Sequence, residues 1–192
     1  MNNIKFRAAK KQDARTIARL YSISSDGVAD YIWTQLAERG EDIVDVGERR
    51  YARENTAFSY QNCVVAEVDG SVIGMLVTFA IEAPDSPEEE TDPVLAPYSK
   101  LEEYDSWYIC GVALFEGFRG KGLGSQFMSI AEQQARAKQF KKLSLIIFEA
   151  NAGAKRLHDT LGYREVMREA IYPHPLIHYT GDAILMVKNL DD

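Results

Sequence analysis

No stretch of this 192-residue chain reaches the 18 or so consecutive apolar residues that a membrane-spanning helix needs. No basic segment followed by an apolar run opens it, so a soluble, intracellular, cytoplasmic protein is expected, with no membrane partner. Cysteine is scarce: Cys63 and Cys110 are the two present. Both sit in apolar runs that read as strands, and they are expected as buried thiols in a reducing compartment rather than as a disulfide. Positive charge is short as well. Lys and Arg number 22 against 29 Asp and Glu, a net charge of −7, which argues against nonspecific nucleic-acid binding. There is no internal repeat. Of the three histidines, His174 and His178 flank Pro175-Leu176-Ile177. Their spacing imitates a metal pair, but the prolines exclude the helix that would align them and no third ligand is evident, so no metal site is expected. The glycines form neither G-x-x-x-x-G-K-[ST] nor G-x-G-x-x-G, which excludes a Walker loop and a dinucleotide fingerprint.

What is present is Arg119-Gly120-Lys121-Gly122-Leu123-Gly124. An apolar run from Trp107 to Phe115, read as a strand, precedes it. An amphipathic helix to about Lys138 follows. A glycine-rich turn between strand and helix offers bare backbone N–H groups at a helix N-terminus, where first-turn donors are unpaired and the helix dipole is positive. Gly122 and Gly124 carry no Cβ and admit a phosphate to the backbone.

Downstream, Leu143 to Phe148 is a nearly continuous apolar run that suits a strand buried on both faces. Asn151 then suits an N-cap, Ala154, Leu157 and Leu161 share a helical face, and Gly162 suits a C′ stop. The R-x-x-G-x-G loop resembles the acyl-CoA loop of the GCN5-related N-acetyltransferases (the GNAT family). The block from Asn151 to Tyr163 resembles that family's second signature, with Tyr163 in place of a Phe and His158 in place of a Tyr. The two signatures stand in the family's order, about 30 residues apart.

The resemblance covers most of the chain. Ile4 to Ala8 and the segment from Asp13 to Tyr21 look like the family's first strand and capped first helix. Val64–Val68, Asp69-Gly70 and Val72–Phe79 read as a β-hairpin, since Asp-Gly suits a type I′ turn. Glu165 to Tyr172 and Ala183 to Lys188 supply two closing strands. The fold expected is α+β: a mixed, mostly antiparallel central sheet with a splayed parallel strand pair and helices on both faces, the acyl-CoA N-acyltransferase fold. One domain over residues 1–192 is expected, with an acidic insertion at about 80–105.

The resemblance implies acetyl-CoA as co-substrate and an amine as acceptor. The amine attacks the thioester carbonyl, an oxyanion forms, and the thiolate leaves. It implies that backbone groups at Val112, Ala113 and Leu114 meet the pantetheine, with Leu114 N–H as oxyanion donor. The pyrophosphate would rest on N–H groups of Arg119, Gly120, Lys121, Gly122, Leu123, Gly124 and Ser125. On the last helix, Asn151, Ala154, Lys155 and His158 fall at cofactor-facing positions. His158 takes the place of the family's general acid, and an ordinary imidazole pKa near 6.5 suits proton exchange; the alternative is that it packs as a plain helix residue. Tyr163, Tyr172 and Tyr108 are its substitutes. For the general base, Asp105, Glu116 and Glu82 are candidates, each more readily a plain surface acid.

From Glu82 to Asp105 there are nine acids (Glu82, Asp85, Glu88, Glu89, Glu90, Asp92, Glu102, Glu103, Asp105) against one base, Lys100, with four prolines interleaved. This is either a solvated loop or an acidic lid that draws in a cationic amine. Residues 22–60 read as the variable acceptor wall. Helical spacing runs from Val28 to Ala37 with Gly40 as a stop, and another helix is expected to begin at Arg49–Arg53. Trp33 is expected in the core. Two other functions stay open: a non-catalytic acyl-CoA-binding module, and acyl transfer to another acceptor. So does a homodimer.

Overall fold

The computed structural model describes residues 4–86 and 89–191; Pro87 and Glu88, part of the acidic segment, lie outside the described residues. Seven strands form one sheet in the order β1-β2-β3-β4-β5-β7-β6: β1 Lys5–Ala8, β2 Cys63–Val68, β3 Ser71–Ile81, β4 Ser106–Leu114, β5 Lys142–Phe148, β6 Arg164–Ala170 and β7 Asp182–Asn189. The helices are α1 Ala14–Ser24, α2 Val28–Leu36, α3 Ile43–Tyr51, α4 Ala96–Lys100, α5 Leu123–Ala137 and α6 Ala152–Thr160. The β1–β2, β2–β3, β5–β7 and β6–β7 pairs are antiparallel, and β4–β5 is parallel. Within the second unit that parallel ladder pairs Trp107–Ile109 with Leu143–Leu145. The chain divides into two compact units: Met1–Thr78 with Gly111–Met128, and Phe79–Cys110 with Ser129–Asp192.

In the first unit the β2–β3 turn is made as Asp-Gly dictates, with positive φ at Asp69 (48°) and Gly70 (80°). Arg7 on β1 bonds Glu67 on β2 (2.6 Å) and Asp13 (2.7 Å), whose side chain is only 8% exposed. Asp13 also accepts from Lys10 N–H (2.7 Å). Its carboxylate is therefore turned back to Arg7 and the preceding turn and makes no cap bond to α1, contrary to the capped helix expected.

The helix expected to begin at Arg49 instead ends there. Asp42 caps α3, its Oδ1 accepting from Val44 N–H at 2.8 Å. Arg49 and Arg50 sit in the last turn, where cations suit the helix dipole. Gly47 lets α3 approach: a Cβ there would lie 2.6 Å from the Trp33 ring and 2.9 Å from Ala18 Cβ. Trp33 is buried, as expected. Tyr21, Tyr51 and Phe58 form an edge-packed ring cluster with centroids 5.5–6.4 Å apart, and Trp33 lies 6.3 Å from Tyr21.

In the second unit, β5 alternates little and is buried almost throughout, as a central strand should be. Ser106 and Ser144, both buried, satisfy each other at 2.6 Å, where β4 and β5 run side by side. The edge strand β6 is exposed along most of its length. The acidic segment is anchored: Val94, Pro97 and Leu101 are buried, and α4 starts with Pro97 in its first turn. Cys63 is buried, but Cys110 is half-exposed, because it falls on the more open face of β4; neither forms a disulfide.

Candidate active site

The first unit carries the glycine-rich loop. β4 ends at Leu114, and a short 3-10 turn, Glu116–Phe118, follows. The chain then passes through Arg119 to Gly122 into α5. Gly120 and Gly122 have φ of 73° and 76°. Left-handed residues at alternate positions make the kind of turn in which successive N–H groups can converge on an anion. No atom lies within 4 Å of where a Cβ would stand on either glycine, so the space in front of them is open. Gly122 carbonyl accepts the first helical bond, from Gln126 N–H at 3.2 Å. The N–H groups of Leu123, Gly124 and Ser125 are thus first-turn orphans.

One expected donor drops out. Arg119 N–H is spent on Glu116 carbonyl at 3.1 Å, so the cradle runs from Gly120 to Ser125. The Arg119 side chain ties the loop to the end of β4, its Nε donating to Leu114 carbonyl at 3.0 Å. Lys121 Nζ folds back onto Gly117 carbonyl (2.9 Å) and over the Phe118 ring (5.2 Å). Residue type alone does not reveal these two ties. The cradle residues fit a pyrophosphate: open space, successive donors and two nearby cations.

Along β4, Gly111 and Ala113 are buried, whereas Val112 and Leu114 are half-buried. Phe115 N–H is tied to Ile73 carbonyl at 3.0 Å. The Leu114 side chain lies over Gly74, where an added Cβ would be 2.5 Å from its Cδ2. Leu114 is therefore shaped by packing as well as backbone position. On the other side of the strand, Gly111 faces α1: a Cβ would meet Ser24 Oγ at 2.7 Å and the Tyr21 ring at 3.3 Å. Glu116 is exposed in the 3-10 turn.

The second unit carries α6. Asn151 Oδ1 accepts from Ala154 N–H at 3.1 Å, the cap expected, and Gly162 closes the helix at φ 89°. Ala154 and Lys155 are half-buried; Lys155 pairs with Asp159 one turn on (3.1 Å). His158 is the most buried residue of α6, 9% exposed, with its ring edge-on to Tyr163 at 5.4 Å. Burial pushes its pKa down from 6.5 to about 4, a nearby Asp159 opposing only in part. The imidazole is therefore neutral at pH 7, not poised near 6.5 as an ordinary histidine would be. Its Nδ1 is buried with no hydrogen-bond partner among the described residues. A bare ring nitrogen costs less there than a buried N–H without an acceptor, which favours the proton on Nε2. Tyr163 is buried, and burial raises its pKa. Burial likewise holds Tyr108 protonated, well above the usual tyrosine range. Tyr172 is exposed.

Asp105, at φ 56°, and Glu82 are exposed at the two ends of the acidic segment. Among the eight of these acids that are described, three are engaged locally. Glu103 pairs with Lys142, Glu90 accepts from Asp92 N–H (2.9 Å), and Asp92 caps Val94 N–H (2.8 Å). In the loop before β7, His174 Nδ1 accepts from Leu176 N–H at 3.2 Å, while His178 is exposed.

This loop–helix arrangement following a central strand, with a second capped helix after the parallel neighbour, is that of an acetyltransferase. The family model for the acetyltransferase (GNAT) family matches residues 28–163, and the chain belongs to that family. A 58-residue stretch is 36% identical to the uncharacterized N-acetyltransferase YycN of Bacillus subtilis (strain 168). That stretch is 30% of this chain and 37% of YycN, so the chain matches well under two thirds of that relative's length. Among solved structures, an N-acetyltransferase from Staphylococcus aureus Mu50 superposes with a TM-score of 0.66 at 18% identity, over 95% of this chain and 99% of that one. The structure of yncA, a putative acetyltransferase from Salmonella typhimurium with its cofactor acetyl-CoA, gives 0.61 at 21%, over 99% and 95%. The acyltransferase fold is thus shown. Among the described residues no helix is long and apolar enough to cross a membrane.

Proposed function

We propose that this chain transfers the acetyl group of acetyl-CoA to a primary amine of a small molecule or a protein. The observation that carries this reading is the open cradle at the start of α5, where the N–H groups from Gly120 to Ser125 have no partner among the described residues. Bound there, acetyl-CoA would supply an activated acyl thioester. In the first unit, the cradle holds the pyrophosphate, and main-chain groups of Val112, Ala113 and Leu114 align the pantetheine arm, with Leu114 N–H the donor to the developing oxyanion.

In the second unit, the α6 positions that the family resemblance assigns to the co-substrate are Asn151, Ala154, Lys155 and His158. His158, neutral and protonated on Nε2, hydrogen-bonds the leaving sulfur rather than delivering a proton from an imidazolium. Asp105 and Glu116 are the exposed carboxylates that can take the amine proton, directly or through water. Binding of CoA by calorimetry, followed by steady-state thiol release over a panel of amines, tests the reading: CoA binding with no turnover on any amine rejects transferase activity.

One observation favours a second reading, a non-catalytic acyl-CoA-binding module. The family's tyrosine position holds a buried histidine whose depressed pKa makes it a poor proton donor at neutral pH. The same turnover measurement separates the two.

A further inference from the structure

Three arginines of the first unit are paired with acids, whereas Arg19, Arg39, Arg53 and Arg119, which have no carboxylate partner among the described residues, are exposed. Arg7 is held by Asp13 and Glu67, Arg15 by Asp45 and Glu48, and Arg49 by Glu41. Arg50, the next residue of α3, is different. It is half-buried, and its guanidinium carbon stands 5.6 Å from the centre of the Phe58 ring. Among the described residues it has no carboxylate partner. The charged neighbour that acts on it is another cation, Arg53; otherwise Tyr51 and Tyr21 surround it. Arg53, exposed, lies alongside, its Nε donating to Arg50 carbonyl at 2.9 Å. Burial lowers the Arg50 pKa, but a guanidinium stays charged.

A cation taken partly out of water beside a second cation costs the fold, and the ring face of Phe58 and the negative end of the α3 dipole offset only part of that cost. A leucine would cover Phe58 without it. The site is therefore complementary to an anion. The planar fork of a guanidinium on an aromatic face matches a carboxylate one to one. The carbonyl end of α3 lies here, and its negative dipole end works against any anion, but more against a dianionic phosphate than against a singly charged carboxylate.

The place of this cation in the fold gives it a role. Phe58 contacts Tyr21 at 6.0 Å, and Tyr21 in turn lies against Gly111 of β4, the residue just before Val112. One ring thus separates the arginine box from the strand to which the acyl group is assigned. Resting on that assignment, we infer that Arg50, with Arg53 beside it, binds a carboxylate on the acceptor, so that the substrate is an amine that also carries a carboxylate. A purely cationic amine would leave Arg50 without a counter-ion.

The test has two arms on the full chain. In the first, acetyl transfer from acetyl-CoA is measured for the twenty L-amino acids and for their amides and decarboxylated amines. At least one amino acid should exceed its own amide by about 10²-fold in kcat/KM, the scale of truncating one partner of a desolvated charge pair. R50Q should remove that preference, R50K should fail to restore it because an ammonium lacks the fork, and R53Q, at an exposed position, should weaken it several-fold. In the second arm, phenylacetate, inorganic phosphate and phenethylamine are titrated calorimetrically into wild type, R50K and R53Q. Phenylacetate should bind to wild type and lose affinity in both variants. If amides are acetylated as well as amino acids, the inference falls while the transferase reading stands. If no amine is acetylated but phenylacetate binding depends on Arg50 and Arg53, the anion site stands and the transferase reading falls. Phosphate binding in place of phenylacetate, or phenylacetate binding unaffected by both substitutions, overturns the inference.

Discussion

The N–H of Asp105 donates to the carbonyl of Ile81 at 2.9 Å, so the acidic segment leaves β3 and enters β4 at a single point. A loop whose ends are pinned together can vary in charge without disturbing the sheet it joins. Glu103, Glu90 and Asp92 are committed to local bonds, whereas Glu82, Asp85 and Glu89 are exposed. Neutralising these last three to Gln or Asn should leave the melting temperature nearly unchanged. If the segment attracts amines through its field, kcat/KM for decarboxylated, cationic amines should fall at low salt. The fall should vanish near physiological ionic strength and above, where the screening length is about 8 Å or less. For an amine carrying its own carboxylate the change should be small at every salt concentration. Equal loss at low and high salt would mean that contact, not field, is at work.

Gly122→Val tests the cradle. A β-branched side chain at φ 76° is strained, and its methyls enter the open space before α5. The strain should cost about 1–3 kcal/mol, a fall of roughly 2–12 °C in melting temperature for a chain of this size. CoA affinity measured by calorimetry should fall at least tenfold. A folded variant with wild-type CoA affinity would remove the phosphate assignment.

His158 makes stability depend on pH in a defined window. Its folded pKa, about 4, lies below the unfolded value of about 6.5. Above pH 6.5 both states are neutral and the fold has its full stability. As pH falls from about 6.5 to about 4, the unfolded chain takes up a proton that the folded chain resists, and up to about 3 kcal/mol is lost. Urea unfolding at a series of pH values should show this slope in wild type and a flatter one in His158→Phe. The same variant should lower kcat by about 10–10²-fold, the loss of a hydrogen bond to a charged sulfur, with little change in CoA affinity. Wild-type kcat in this variant would reduce His158 to packing.

Arg7→Ala should destabilise the first unit. Asp13, nearly buried, would keep only the Lys10 N–H as partner, and Glu67 would lose its cation. Leaving a buried carboxylate unpaired costs about 3 kcal/mol or more, readable as a shift in the urea midpoint at constant m-value. A change under about 0.5 kcal/mol would show that water replaces the guanidinium at no cost.

The sequence alone determined what depends on a few adjacent residues. Asp69-Gly70 sets the hairpin because two positive φ angles need that pair, Asn151 and Gly162 bound α6 by capping, and the glycines at 120 and 122 make the turn before α5. Each is a local conformational preference, legible in adjacent letters. Tertiary structure decided what depends on distant partners. The start of α3 rests on Asp42, and its middle holds Gly47, a poor helix residue retained for contact with Trp33, so local spacing points to the wrong start at Arg49. Asp13 has the residue type of a cap, but its partner is Arg7 on β1. Arg119 has the place of a backbone donor, but the 3-10 turn takes its N–H and the end of β4 takes its side chain. The protonation of His158 and the isolation of Arg50 follow from burial and from which charges lie nearby. Neither is written in sequence order, because desolvation and Coulomb energies depend on distances that only the folded chain fixes.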